Sequence, residues 1–132
     1  MTPEASRFLA KARKLLEHAT TMLGVGLNED AGRTAYLAGF HAAQAFIFET
    51  TQMLFKSHKG VQTEFLRLTK GDPRFTPGQR IFLSQTYNFK AIADYETGPG
   101  SEISAERAER AVAAGKQFVE HIARLVSLPD AA

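Results

Sequence analysis

The chain has 132 residues, 44% of them hydrophobic and 23% charged, a mixture that suits one globular domain with a real core and excludes a long disordered tail. It has no cysteine, which excludes disulfides, thiolate nucleophiles and cysteine-based zinc sites, and its formal charge of +2 leaves any attraction to nucleic acid to local clustering. The N-terminus is charged throughout, and the apolar run from Ala35 to Phe48 is short and interrupted by His41 and Gln44, so neither a signal peptide nor a membrane span is predicted and the expectation is a soluble, cytoplasmic protein.

Apolar residues recur at steps of three and four, and no stretch alternates with period two, which predicts an all-α chain. The first helix runs from about Pro3 to Leu23, with Phe8, Ala12, Leu15, Ala19 and Met22 as its apolar stripe, widened by Leu9, Leu16 and Leu23. Gly24 and Gly26 end it. A second helix is predicted from about Glu29 to Phe55. Tyr36, Phe40, Ala43 and Ile47 line one side of it, and Leu37 and Phe48 flank His41 and Gln44 on the next stripe, so it is expected to be buried on more than one side.

Ser57 suits the cap of a third helix reaching about Leu68, with Val61, Phe65 and Leu68 inward and Gly71-Asp72-Pro73 as its stop. Thr76-Pro77-Gly78-Gln79 carries the signature of a capping box and opens a fourth helix to about Tyr95. Gly98-Pro99-Gly100 breaks the chain, Ser104 caps a fifth helix, and Pro129 closes it. Ala108, Ala111, Val112, Gly115, Phe118, Val119, Ile122 and Leu125 form the seam of that last helix. Short connections favour antiparallel neighbours, so the prediction is an up-and-down bundle of about five helices forming one domain, its core from about residue 4 to 126.

Four sets of polar residues stand out against this frame. Arg33, Leu37, His41, Gln44 and Phe48 share one helical stripe, so His41 reads either as a packed, hydrogen-bonded histidine or as a proton shuttle. His58, between Lys56 and Lys59 at a helix start, reads either as a solvated cap or as part of an anion-holding site. Lys90 and Asp94 lie four apart on one stripe with Leu83 and Tyr87, the spacing of a surface ion pair. Arg7, Lys11, Arg13 and Lys14 cluster on the first helix, as a solvated face or as a contact for phosphates or an acidic partner. The four histidines show no ligand spacing, so no metal and no cofactor is predicted.

Taken in order, Arg33, Ala35-Tyr36, Phe40-His41-Ala42-Ala43, Lys56-Ser57-His58-Lys59-Gly60-Val61, Phe65, Ala93-Asp94-Tyr95 and Ile103-Ser104 resemble the HEPN family. More narrowly, the chain is similar to stand-alone prokaryotic members that carry a YxxxFHAA, a K-x-H-x-G and a late ADY segment. The resemblance implies a small helical bundle that pairs into a homodimer and is often encoded beside a minimal nucleotidyltransferase in a toxin–antitoxin arrangement. Active relatives are metal-independent ribonucleases that use an arginine and, a turn or two further on, a histidine of a late helix facing the dimer cleft.

On that resemblance Lys90 stands where arginine is common and Asp94 near the histidine position, so the pair is degenerate. Lysine still supports a phosphate as a point charge, but aspartate shuttles protons poorly near neutrality. Tyr95 lies near a tyrosine that the partner nucleotidyltransferase modifies in some relatives. Arg13 and His18 satisfy the arginine-to-histidine spacing, but on the wrong helix and about 140° apart around its axis. The expectation is therefore a toxin-like or defence-related domain acting on RNA, with Lys90, Asp94 and His41 as catalytic candidates and Arg33, Lys56, His58, Lys59 and Tyr95 as nucleotide- or RNA-binding candidates. The competing expectation is a catalytically silent HEPN module that binds nucleotide, RNA or a protein partner.

Overall fold

Four of the five helices begin where a side chain satisfies backbone donors that have no partner within the helix. In a computed structural model describing residues 1–98 and 102–127, the Thr2 hydroxyl accepts from Ala5 N at 3.1 Å and starts α1, Pro3–Gly24. Helix α2, Asn28–Thr51, has no side-chain cap, but Glu29 and Asp30 place negative charge in its first turn. Ser57 Oγ accepts from Gly60 N at 2.9 Å to start α3, His58–Thr69. The capping box is formed at α4, Pro77–Tyr95: Gln79 N donates to Thr76 Oγ1 at 3.1 Å and Thr76 N donates to Gln79 Oε1 at 2.9 Å. Ser104 Oγ accepts from Arg107 N at 3.1 Å and starts α5, Ala105–Ser127. The described residues contain no strand, and the fold is the expected all-α bundle.

Two expectations are corrected. The second helix stops at Thr51 rather than Phe55, because Gln52 turns into the left-handed region with φ 61° while its N–H still donates to Phe48 O. Thr51 Oγ1 then accepts from Met53 N at 3.0 Å and redirects the chain, leaving Met53 and Leu54 exposed. On α1 the buried seam is Ala5, Leu9, Ala12, Leu16 and Ala19, and Phe8, Leu15 and Met22 flank it half-buried. The expected break at Pro99-Gly100 and the expected stop at Pro129 lie outside the described residues.

Helix α2 runs through the middle of the bundle and is packed against all four others. Its small residues make that possible. A Cβ at Gly39 would overlap the Phe82 ring of α4, and one at Gly32 would come 3.0 Å from the Phe89 ring. Phe82 is fixed from behind by stacking on Phe118 of α5, centroids 4.7 Å apart. Arg80 of α4 closes the other end of α3, donating to Leu66 O at 2.9 Å and Thr69 Oγ1 at 3.0 Å, where helix carbonyls lack internal partners. These contacts set α2, the start of α3 and the second half of α4 side by side. No described helix is long and apolar enough to cross a membrane.

Candidate functional site

The polar stripe of α2 meets the last turns of α4. Arg33 Nε donates to Asp94 Oδ1 at 2.7 Å, and Lys90 Nζ donates to Asp94 Oδ2 at 2.8 Å. One carboxylate thus gathers two cations and leaves the cluster with one positive charge in excess. Lys90 is drawn in, its side chain only 12% exposed, whereas Arg33 is 38% exposed. The hydrogen bond from Lys90, backed by Arg33 and opposed by burial, holds the Asp94 carboxyl below its ordinary range. The same bond, again opposed by burial, raises Lys90. Asp94 is therefore a committed carboxylate rather than a proton donor near neutrality. The Lys90 ammonium also lies 5.3 Å from the Tyr95 ring centre and 6.0 Å from that of Tyr87, within reach of cation–π attraction. Tyr95 itself is 72% exposed.

His58 opens α3, and its ring turns inward rather than toward solvent with Lys56 and Lys59. It lies among Phe40, Tyr36 and Tyr87, with centroid separations of 4.8, 5.6 and 5.7 Å. Its Nδ1 is 2.8 Å from the Tyr36 hydroxyl, which also receives a hydrogen bond from Gln62 Nε2 at 3.3 Å. Burial pushes the Tyr36 phenol up to about 12, so it stays protonated. Burial first, then the positive field of Lys90 and His41, lowers His58, and Asp94 opposes them.

His41 packs edge-on against Phe40, ring centres 5.4 Å apart. Its Nδ1 is 2.7 Å from Gln44 Oε1, and Gln44 Nε2 donates to Phe55 O at 2.8 Å. Burial lowers His41 more than the bond to Gln44 raises it, and Lys11 adds to the lowering. Both imidazoles are thereby biased toward the neutral form.

Of the residues expected from sequence, the fold gathers Arg33, Lys90, Asp94 and Tyr95 into one cluster, with His58 and His41 in the aromatic layer next to it. Lys56 and Lys59 stay outside, exposed and without an ion-pair partner among the described residues. Lys59 borders a shallow groove with Phe55, Thr63 and Glu64. On α1, Arg13 is taken up by Glu120 of α5 through two hydrogen bonds and has no relation to this cluster. Tyr36, Gln62 and Tyr87 belong to the site without having been among the candidates. Tyr36 and Tyr87 lie on apolar stripes and read as core, and nothing local marks Gln62. Among the described residues no three His, Asp or Glu side chains converge as a metal ligand set would.

The chain is thus an all-α bundle in which a paired cationic cluster lies beside tilted and edge-on aromatic rings. The HEPN domain model matches residues 5–125, nearly the whole chain, and the protein belongs to the HEPN domain family. At the level of that family its function is nucleotide- or RNA-related. No curated protein matches the chain.

Proposed function

We propose that this HEPN protein is an RNA-acting module of the toxin-like or defence-related kind, whose primary act is to hold an RNA or nucleotide phosphate at the ion-pair cluster where α2 meets the end of α4. The observation that carries this reading is the convergence of Arg33 and Lys90 on the single carboxylate of Asp94, beside the exposed ring of Tyr95. An unbalanced positive charge attracts the phosphate, and an open aromatic face stacks a base without regard to its identity. The family resemblance supports a homodimer and a minimal nucleotidyltransferase as protein partner. The absence of cysteine fits a cytoplasmic location.

A second reading, metal-independent cleavage of RNA, is favoured by one observation: two imidazoles biased to the neutral form both pack against Phe40 and feel the charge of nearby lysines. Cleavage then depends on His41 and His58, while Lys90 and Arg33 support the charged phosphate. Asp94, held ionised, orients the two cations instead of moving a proton.

Chelator-treated protein incubated with single-stranded and structured RNA tests both. The primary reading expects binding that weakens with salt and intact RNA after incubation. Cutting that is lost in His41→Ala replaces it with the second reading. A folded protein, dimeric by sedimentation, that binds neither RNA nor nucleotide at low salt overturns both.

A further inference from the structure

Two separate hydrogen-bond chains lead to the two imidazoles, the first with its direction fixed by a backbone carbonyl and the second with its direction set by the Gln62 amide. In the first, Gln44 Nε2 must donate to Phe55 O, because a carbonyl only accepts, so Oε1 is the atom that faces His41. An amide oxygen also only accepts, and Nδ1 of His41 must carry the hydrogen. In the second, Gln62 Nε2 donates to the Tyr36 oxygen, which leaves the phenol hydrogen for Nδ1 of His58. Nδ1 of His58 is then an acceptor, and the hydrogen of the neutral ring sits on Nε2. Neither Nε2 atom makes a hydrogen bond to a protein group among the described residues.

We propose that these chains fix the two rings in opposite tautomers, so that His41 presents an acceptor at Nε2 and His58 a donor at Nε2, with Gln44, Tyr36 and Gln62 as positioning residues. The two rings both pack against Phe40, 5.4 and 4.8 Å from its centre, and His41 contributes to the electrostatic field at His58. The groups of α2 and α4 that also bear on them are Tyr36, Tyr87, Lys90 and Asp94, with Lys11 reaching His41 from α1.

A ligand that matches the two Nε2 atoms offers a hydroxyl donor to one and an anionic acceptor to the other. A ribonucleotide does, through its 2′-hydroxyl and its phosphate, and a deoxyribonucleotide lacks the first. The choice of ribonucleotide rests on the RNA reading proposed above; the tautomers do not.

The test begins in the free protein, with two-bond proton–nitrogen correlation spectra of 15N-histidine-labelled chain near neutral pH. His41 is expected as the Nδ1–H form and His58 as the Nε2–H form. Tyr36→Phe keeps the buried ring and removes the hydroxyl, and His58 is expected to lose its single tautomer while His41 keeps its own. Gln44→Met is expected to do the converse. Gln62→Glu, at a half-buried position that tolerates charge, supplies a carboxylate that takes the phenol hydrogen. The phenol oxygen then accepts from Nδ1, and His58 is expected to become Nδ1–H or cationic. Should Gln44→Met not fold, the wild-type spectrum of His41 decides that half.

Finding either wild-type ring in the other tautomer, or a His58 signal unmoved by both Tyr36→Phe and Gln62→Glu, overturns the proposal. With the tautomers as expected, Tyr36→Phe is expected to weaken RNA binding about three- to tenfold, the range of one hydrogen bond, and to narrow the preference for RNA over the matching DNA. The expected tautomers in a protein that binds no RNA overturn the RNA reading and uphold the positioning of the rings.

Discussion

Arg33 on α2 and Asp94 on α4, 61 residues apart in sequence, are joined by a 2.7 Å hydrogen bond from Nε to Oδ1. Because Lys90 occupies the second carboxylate oxygen, the two cations are held at a spacing that neither helix could set alone. The first prediction follows from the charge balance. Asp94→Asn removes the anion and keeps the shape, so RNA or nucleotide binding is expected to tighten about two- to tenfold at low salt, with the gain lost as salt is raised. A filter-binding series over ionic strength measures it. Loss of binding in this variant would instead make the carboxylate itself a ligand-contacting group.

Removing a cation works in the other direction. Lys90→Ala and Arg33→Ala are each expected to weaken RNA binding across sequences and to reduce the salt slope by about one counterion. The fold should hold, since partly exposed ion pairs contribute about 0.2–1 kcal/mol at most. An unchanged salt slope in both variants counts against the ion-pair cluster as the binding site.

The same network has a pH signature. Asp94 titrates lower in the folded protein than its ordinary value, so its contribution is present above about pH 4 and is lost as pH falls through the lowered value. Lys90 titrates higher, so its contribution is full below about pH 10 and is lost as pH rises through the raised value. The two histidines act differently. Both titrate below their ordinary value, so below about pH 6.5 the unfolded chain binds protons that the folded one refuses. Stability is therefore expected to decline on acidification from pH 6.5 toward 5, and His58→Gln is expected to flatten that decline. Urea midpoints across the range decide it.

Close packing gives the clearest stability contrast. Gly39→Ala places a methyl into the Phe82 ring, which cannot retreat because it is buried and stacked on Phe118. A net loss of about 1–3 kcal/mol is expected, overpacking outweighing the better helix propensity of alanine. Gly115→Ala, whose Cβ would meet Leu16 and Ala35 at 3.4 and 3.5 Å, is expected to be neutral or up to about 1 kcal/mol stabilising. Thermal unfolding of the pair measures both.

The helices that sequence located best are those whose starts are written locally. Thr76 and Gln79, Ser57, and Ser104 each announce a cap that the structure contains. The end of α2 was misread for a physical reason. Met53, Leu54 and Phe55 prolong the apolar pattern, but the turn at Gln52 is made by backbone and by the Thr51 hydroxyl, which periodicity does not record. At the site, the Lys90 to Asp94 contact was legible because four residues is one helical turn. Arg33 to Asp94 and Tyr36 to His58 were not, since each joins segments that only the packing of α2 against α3 and α4 brings together. Their residues could be nominated from sequence, and their partners could not.

Tyr36, Tyr87 and Tyr95 are the only tyrosines of a chain that has no tryptophan; Tyr87 and Tyr95 lie by the Lys90 ammonium, and Tyr36 and Tyr87 by the His58 ring. Near-ultraviolet emission from this protein therefore originates almost wholly at the candidate site. Without any label, a ligand that displaces the ammonium from Tyr95 reports its own arrival as a change in brightness, and titrations can be followed on the native chain.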